Sequence, residues 1–307
     1  MITDIPNESD FKQSGLALFN HAWDSVLSLY LGLDSFEADE ESEEDIAEMT
    51  RHYWGSAQTT LSTSLALVQQ GTEFLLKGRI SAVSPFLLLS GEPRYWPRGN
   101  NRNDVRFAEF RSIDAQDLVR VHDTISPERL SDSFKTRFEE LRRLRNARMH
   151  TVDSQSSINP KDVISDILHV CDSLVRPDTW INLRRIHLEN EPHTHLFGSN
   201  DDLDYHLACE INKVIDLLDR QSIIKHFDFK KNQRRYFCYA CHISTWEYGN
   251  IANLAQLRPN EPSSTTLHCV LCGQNSVVER RPCRHLDCRS NVIEPEDNVC
   301  LTCLEEQ

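Results

Sequence analysis

Apolar positions recur at helical spacing along residues 9–33: Phe11, Leu16, Leu18, Phe19, Ala22, Trp23, Val26, Leu27, Tyr30 and Leu31. The pattern predicts an amphipathic helix. An acidic run at 34–48 predicts a solvated loop. Leu61, Leu65, Leu67, Val68, Phe74, Leu75 and Leu76 mark a second long helix over about 45–80. Residues 83–124 hold prolines and the segment GNNRND, and predict an irregular insertion with short helical pieces. Ser126 before Pro127 predicts a capped helix start, and that helix runs to about His150. Further helices are expected at about 160–175 and 201–226, with broken helix from Pro177 to 200. Helical periodicity fades after Phe229. The expected fold is mainly α: an antiparallel helical bundle over 1–228 and a small cysteine-rich domain over 229–307.

Composition supports helices, since glycine is scarce at 10 of 307 residues. The net charge of −14 repels phosphate on average, so any nucleic-acid contact needs a local basic patch. The start, MITDIPNESDFKQ, shows no basic region followed by an apolar run. Stretches such as SAVSPFLLL are too short to span a bilayer. A cytoplasmic chain with no membrane partner is therefore expected. In a reducing compartment, cysteines point to metal sites before disulfides.

Eight of the ten cysteines fall near the end. Cys238–Cys241, Cys269–Cys272 and Cys300–Cys303 are C-x-x-C knuckles, and Cys283 and Cys288 complete the set. Two thiolates on one tight turn can share an ion, and two such pairs make a tetrahedral site suited to Zn²⁺. Two structural Zn²⁺ ions are expected, with no open coordination position for catalysis. Sequential pairing is simplest, a cross-braced arrangement is the alternative, and His285 can replace Cys283 or Cys288. Lys230, Lys231, Arg234, Arg235, Tyr236, Phe237 and Tyr239 surround the first knuckle, and Arg280, Arg281 and Arg284 flank the second site. Such residues can hold nucleic acid or serve a purely stabilising ribbon. Cys171 and Cys209 lie on helical patterns and read as buried apolar positions.

The stretch ELRRLRNARMHTV concentrates charge at the end of one helix. Leu130, Phe134, Phe138, Leu141 and Leu144 form an apolar stripe that Arg145 and Arg148 continue. Asn146 and His150, four apart, share another face, which Arg142 and Arg143 flank. His150 sits roughly 140° around an ideal helix from Arg145. The two meet only if the helix frays or if they act from different protomers. His193 and His195 with Asp201, Asp202 and Asp204 fit no metal template and read as a polar loop. The chain holds no G-x-x-x-x-G-K-[ST], G-x-G-x-x-G, G-x-S-x-G or H-E-x-x-H.

Arg145-Asn146-Ala147-Arg148-Met149-His150 resembles the R-N-x-x-x-H form of the HEPN-domain motif. LSDSFKTRFEELRRLRN resembles the helix that carries it, and LALVQQGTEFLLKGRI an earlier bundle helix. The resemblance covers about 10–220 in architecture, and only the motif is specific. It implies a metal-independent endoribonuclease of prokaryotic antiviral defence or toxin–antitoxin growth arrest. It further implies a homodimer with a composite site, an RNA substrate, and an antitoxin or defence partner. Arg145, Asn146 and His150 would be catalytic, and Arg142, Arg143 and Arg148 would hold substrate. His150 can move protons near neutral pH, and Arg145 offers fixed donors to phosphate. The alternatives are a non-catalytic HEPN-like RNA- or protein-binding module, and a zinc-ribbon regulator with a helical dimerisation domain.

Overall fold

The computed structural model describes residues 1–35, 42–97, 104–150, 157–192, 200–245 and 253–307, with backbone only at 149–150 and 200–202. Contacts divide it into two compact units, Met1–Thr179 and Trp180–Gln307. The units part earlier than the boundary expected near 228. The helical residues from Trp180 to Phe227, expected in the bundle, fold with the cysteine-rich part.

In the first unit, α1 (Glu8–Asp34) starts on a reciprocal cap. Asn7 Oδ1 accepts from the Ser9 and Asp10 N–H groups, and Asp10 accepts from the Asn7 N–H. Its stripe of Phe19, Ala22, Trp23 and Val26 is fully buried. The central helix, α3 (Gln58–Val83), buries Leu61, Leu65, Val68, Leu76 and Ile80. The two run antiparallel, since Gly15 meets Gly71 and Glu8 meets Gly78. At the crossing a Cβ on Gly71 would stand 2.5 Å from Phe19 Cε1 and 2.9 Å from the Gly15 carbonyl, so only glycine admits this approach.

The single helix expected over 45–80 is two, α2 (Glu43–Ser56) and α3. They part at Ala57, just after the weak helix formers Gly55 and Ser56. Tyr53 of α2 donates to the Leu29 carbonyl (2.6 Å), and Trp54 packs edge-on against Tyr30.

The insertion at 83–124 contains 3₁₀ turns and β2 (Val105–Arg106), which pairs in parallel with β1 (Ile2–Thr3) at the start of the chain. It ends in a regular helix, α4 (Ala115–Ile125), packed on α3 through Leu118 and His122. The expected helix start at Ser126 is corrected. The Ser126 N–H closes α4 on the His122 carbonyl (2.8 Å), and the Ser126 hydroxyl donates to the Glu128 carbonyl (2.9 Å). Asp123 Oδ1 accepts from the Leu130 N–H (2.9 Å) and holds this turn against helix. The next helix, α5 (Asp132–His150), begins where Ser131 Oγ accepts from the Phe134 N–H (3.2 Å). Its stripe holds: Phe134, Phe138 and Leu141 are buried. α6 (Pro160–Leu174) is capped by Asn159, carries proline at its first turn and buries Ile164, Ile167 and Cys171. Arg137 of α5 donates to Asp166 of α6 (Nη2–Oδ2 2.7 Å).

In the second unit, α7 (Trp180–Glu189) packs against α8 (Asn200–Leu217), joined by Arg184–Glu210 (2.8 Å) and by Arg185–Asp204. The helix expected over 201–226 breaks at Asp219. That side chain accepts from the Gln221 and Ser222 N–H groups and starts α9 (Arg220–Phe227). α10 (Tyr239–Thr245) follows. Two small antiparallel sheets complete the unit: β3 (Ala255–Leu257), β4 (Thr266–Cys269) and β5 (Asn275–Val277), then β6 (Ile293–Glu294) and β7 (Val299–Cys300). Among the described residues no helix is long and apolar enough to cross a membrane.

Candidate functional site

The charged end of α5 divides between two faces. Arg145 and Arg148 turn toward α3, which runs antiparallel to α5. Arg145 Nε and Nη2 each donate to Gln69 Oε1 (3.3 Å), and Nη2 also reaches Glu73 Oε1 (3.4 Å). Arg148 Nη1 lies 3.5 Å from Ser62 Oγ. Gln69 is fully buried, the Glu73 side chain is 9% exposed, and that of Arg145 is 28% exposed. Arg145 therefore continues the core stripe, as its spacing predicts, and reaches an acidic and amide pair instead of leucine. The Arg145 side chain is only partly covered.

Asn146 looks the other way. With Arg142, Arg143, Thr136, Glu139 and Glu140 it lines a shallow hollow of about 450 Å³. Arg142 is paired with Glu139 (2.7 Å), so its charge is already balanced. Arg143 is exposed and makes no ion pair among the described residues. The backbone of His150 ends α5 one turn beyond Asn146, and its side chain lies outside the described residues. The side chains of His193, His195, Asp201 and Asp202 lie outside them too.

Periodicity, which weighs only the leucines of this helix, does not single out Gln69 and Glu73. A different signal marks them. QQGTE interrupts an apolar run, and Gln69, Thr72 and Glu73 are all buried. Buried polar groups need partners, and Arg145 is the one that reaches Gln69 and Glu73 across the seam.

The cysteines form two sets of four: Cys238, Cys241, Cys269 and Cys272, and Cys283, Cys288, Cys300 and Cys303. This is the sequential pairing, and His285 stands outside the second set with its backbone N–H 3.4 Å from Cys283 Sγ. Sγ–Sγ separations are 3.8 and 3.9 Å in the first set and 3.7 and 3.8 Å in the second. A disulfide would need about 2.05 Å. Four thiolates each about 2.3 Å from one ion stand about 3.8 Å apart, so both sets fit a tetrahedral metal ion.

Two of the knuckles are built alike. The Cys269 carbonyl accepts from the Gly273 N–H (2.9 Å) and the Cys269 N–H donates to the Gln274 carbonyl (3.0 Å). Cys300 repeats both bonds with Leu304 (2.8 Å) and Glu305 (3.0 Å). Each turn ends in left-handed backbone, at Gly273 (φ 71°) and Leu304 (φ 62°). Cys238 and Cys241 open α10, and Cys283 and Cys288 lie on a hairpin. Cys171 and Cys209 stay apart from both sets, and burial pushes both thiols up.

The basic residues around the knuckles are partly used inside the unit. Lys231 donates to the Asp216 and Leu218 carbonyls, and Arg235 pairs with Asp216 (3.5 Å) and covers the Phe229 ring. Arg280 donates to the Ser264 carbonyl and to Asn291 (3.0 Å each), and Arg281 binds Glu279 (3.1 Å). Together fold and site define a mainly helical protein with two tetra-cysteine groups that could hold metal ions. No protein-family model, curated protein or solved structure matches the chain.

Proposed function

We propose that the chain is a cytoplasmic, metal-independent endoribonuclease of the HEPN type, with a structural Zn²⁺ ion in each cysteine set. The observation that carries this reading is the held guanidinium of Arg145, one residue before Asn146 and five before His150 on one continuous helix. A held, partly exposed arginine fork suits a phosphate whose charge rises during reaction. The 2′-hydroxyl attacks the adjacent phosphorus and the bond to the 5′-oxygen breaks, leaving a 2′,3′-cyclic phosphate and a 5′-hydroxyl. His150 takes the proton from the attacking oxygen or gives one to the leaving oxygen. Arg145 and Asn146 face apart within one copy, so a symmetric dimer supplies the complete set across one cleft. Arg143 holds flanking phosphate from the outer hollow. Growth arrest or antiviral defence, with an antitoxin or defence partner, is the setting this chemistry suits.

The test incubates wild type, His150→Ala and Arg145→Ala with bulk RNA and tRNA without added Mg²⁺, and maps the ends. Cleavage by wild type alone is expected. Equal, nonzero cleavage by all three sinks the site. Metal analysis should find two Zn²⁺ per chain, and one after Cys269→Ser.

A second reading is favoured by the same contact. Glu73 already neutralises Arg145, as it would in a HEPN-like module that binds RNA or protein without turnover. Binding without cleavage under any condition would support it.

A further inference from the structure

We propose that the hairpin between Cys283 and Ser290 is a binding surface for the backbone of single-stranded RNA. The hairpin is closed by the Cys283 N–H on the Ser290 carbonyl (2.9 Å) and turned by the Cys288 N–H on the His285 carbonyl (3.0 Å). Arg284 and Arg289 are the residues just inside the closing pair. Arg234 joins them, since its Nη1 donates to the Arg289 carbonyl (3.1 Å) while its guanidinium lies over the Tyr236 ring (5.5 Å). All three arginines are exposed, and none makes an ion pair among the described residues. In a chain of net charge −14, where Arg137, Arg142, Arg145, Arg184 and Arg235 meet carboxylates, these three gather at one hairpin. Asp287 is the one carboxylate within the hairpin.

The turn tip adds His285 and Leu286, the latter 98% exposed. A ring and an apolar side chain beside cationic forks match an unstacked base beside its phosphates. Two metal-ligand cysteines, Cys283 and Cys288, are part of the hairpin, so the arginines are held ready before binding. An acidic protein would use the charge but leave the exposed tip without a role, and a duplex would hide the base faces. The proposal goes beyond the cleavage reading and does not depend on it.

The experiment uses the full zinc-loaded chain and a fluorescent 2′-O-methyl RNA oligonucleotide. That probe cannot be cut by 2′-hydroxyl attack, so binding is read whether or not the chain is a nuclease. The R234A/R284A/R289A variant should bind at least about 10-fold more weakly. The slope of log K against log salt should fall by about 2, at about 0.7 for each phosphate no longer neutralised. The triple Arg→Lys variant should keep most of the binding, and unchanged zinc content in both variants shows that the unit is folded. Unchanged affinity and slope in the alanine variant overturns the proposal. Displacement of the oligonucleotide by an equally charged acidic peptide, or tighter binding of duplex RNA, overturns it as well.

Discussion

Arg145 Nη2 stands 3.4 Å from Glu73 Oε1 across the α3–α5 seam, and Gln69 Oε1 accepts from the same guanidinium. The pairing joins the motif helix to the centre of the bundle. It gives Glu73 two measurable roles, one in charge and one in position. Glu73→Gln keeps the shape and removes the charge. If the dyad orients Arg145 for phosphate, the variant should cut RNA with kcat lowered at least about 10-fold and KM little changed. Arg145→Lys should lose most activity, because an ammonium lacks the fork. Full activity in Glu73→Gln would leave the pair with a purely structural role.

Asp123 links α4 to α5 and makes acid stability measurable. Partial burial opposes its charge, but hydrogen bonds from Lys135, the Leu130 N–H and His122, together with the Lys135 charge, hold the carboxyl at about 2. A carboxyl lowered by folding stabilises the native state above its ordinary value near 3.8, and that contribution disappears as pH falls toward 2. The expected contribution at neutral pH is about 1–2 kcal/mol, the site being partly solvated. Melting of wild type and Asp123→Asn should differ near pH 7 and converge near pH 2. A constant difference across that range would contradict the assignment.

The α1–α3 crossing predicts opposite effects of one methyl group. Gly71→Ala places a Cβ against Phe19 and the Gly15 carbonyl and should destabilise by about 1–3 kcal/mol. Gly55→Ala meets nothing within 4 Å and should stabilise by about 0.5–1 kcal/mol through helix propensity. Chemical denaturation of the two variants reads both signs. Equal behaviour would mean that the crossing is looser than these distances.

Much of this arrangement was legible in residue spacing. The Phe134, Phe138, Leu141 stripe and the leucines of α3 follow directly from period 3.6, because burial of one face stabilises each helix. The knuckle spacing left sequential and cross-braced pairings open, and the two sets of four follow the sequential one. What spacing missed were breaks made by single side-chain hydrogen bonds. Asp219 divides a long apolar pattern in two, and Asp123 reaches across a turn to keep Ser126 out of the helix. The Arg145 partners were hidden for a related reason. Periodicity places a residue on a face but is silent about which neighbour fills the space opposite. Only the antiparallel register of α3 and α5 brings Gln69 and Glu73 level with Arg145.

Leu304 occupies the position that Gly273 holds in the other knuckle, with the same left-handed backbone. Glycine adopts that conformation freely, whereas leucine there is strained by about 1 kcal/mol or more. The two clasps are thus unequal: one rests closed, and the other is sprung. If each set holds Zn²⁺ as proposed, the ion beside Leu304 should leave first as a chelator is raised. The hairpin of Arg284 and Arg289 would slacken while the first cluster still holds, making this surface sensitive to zinc supply.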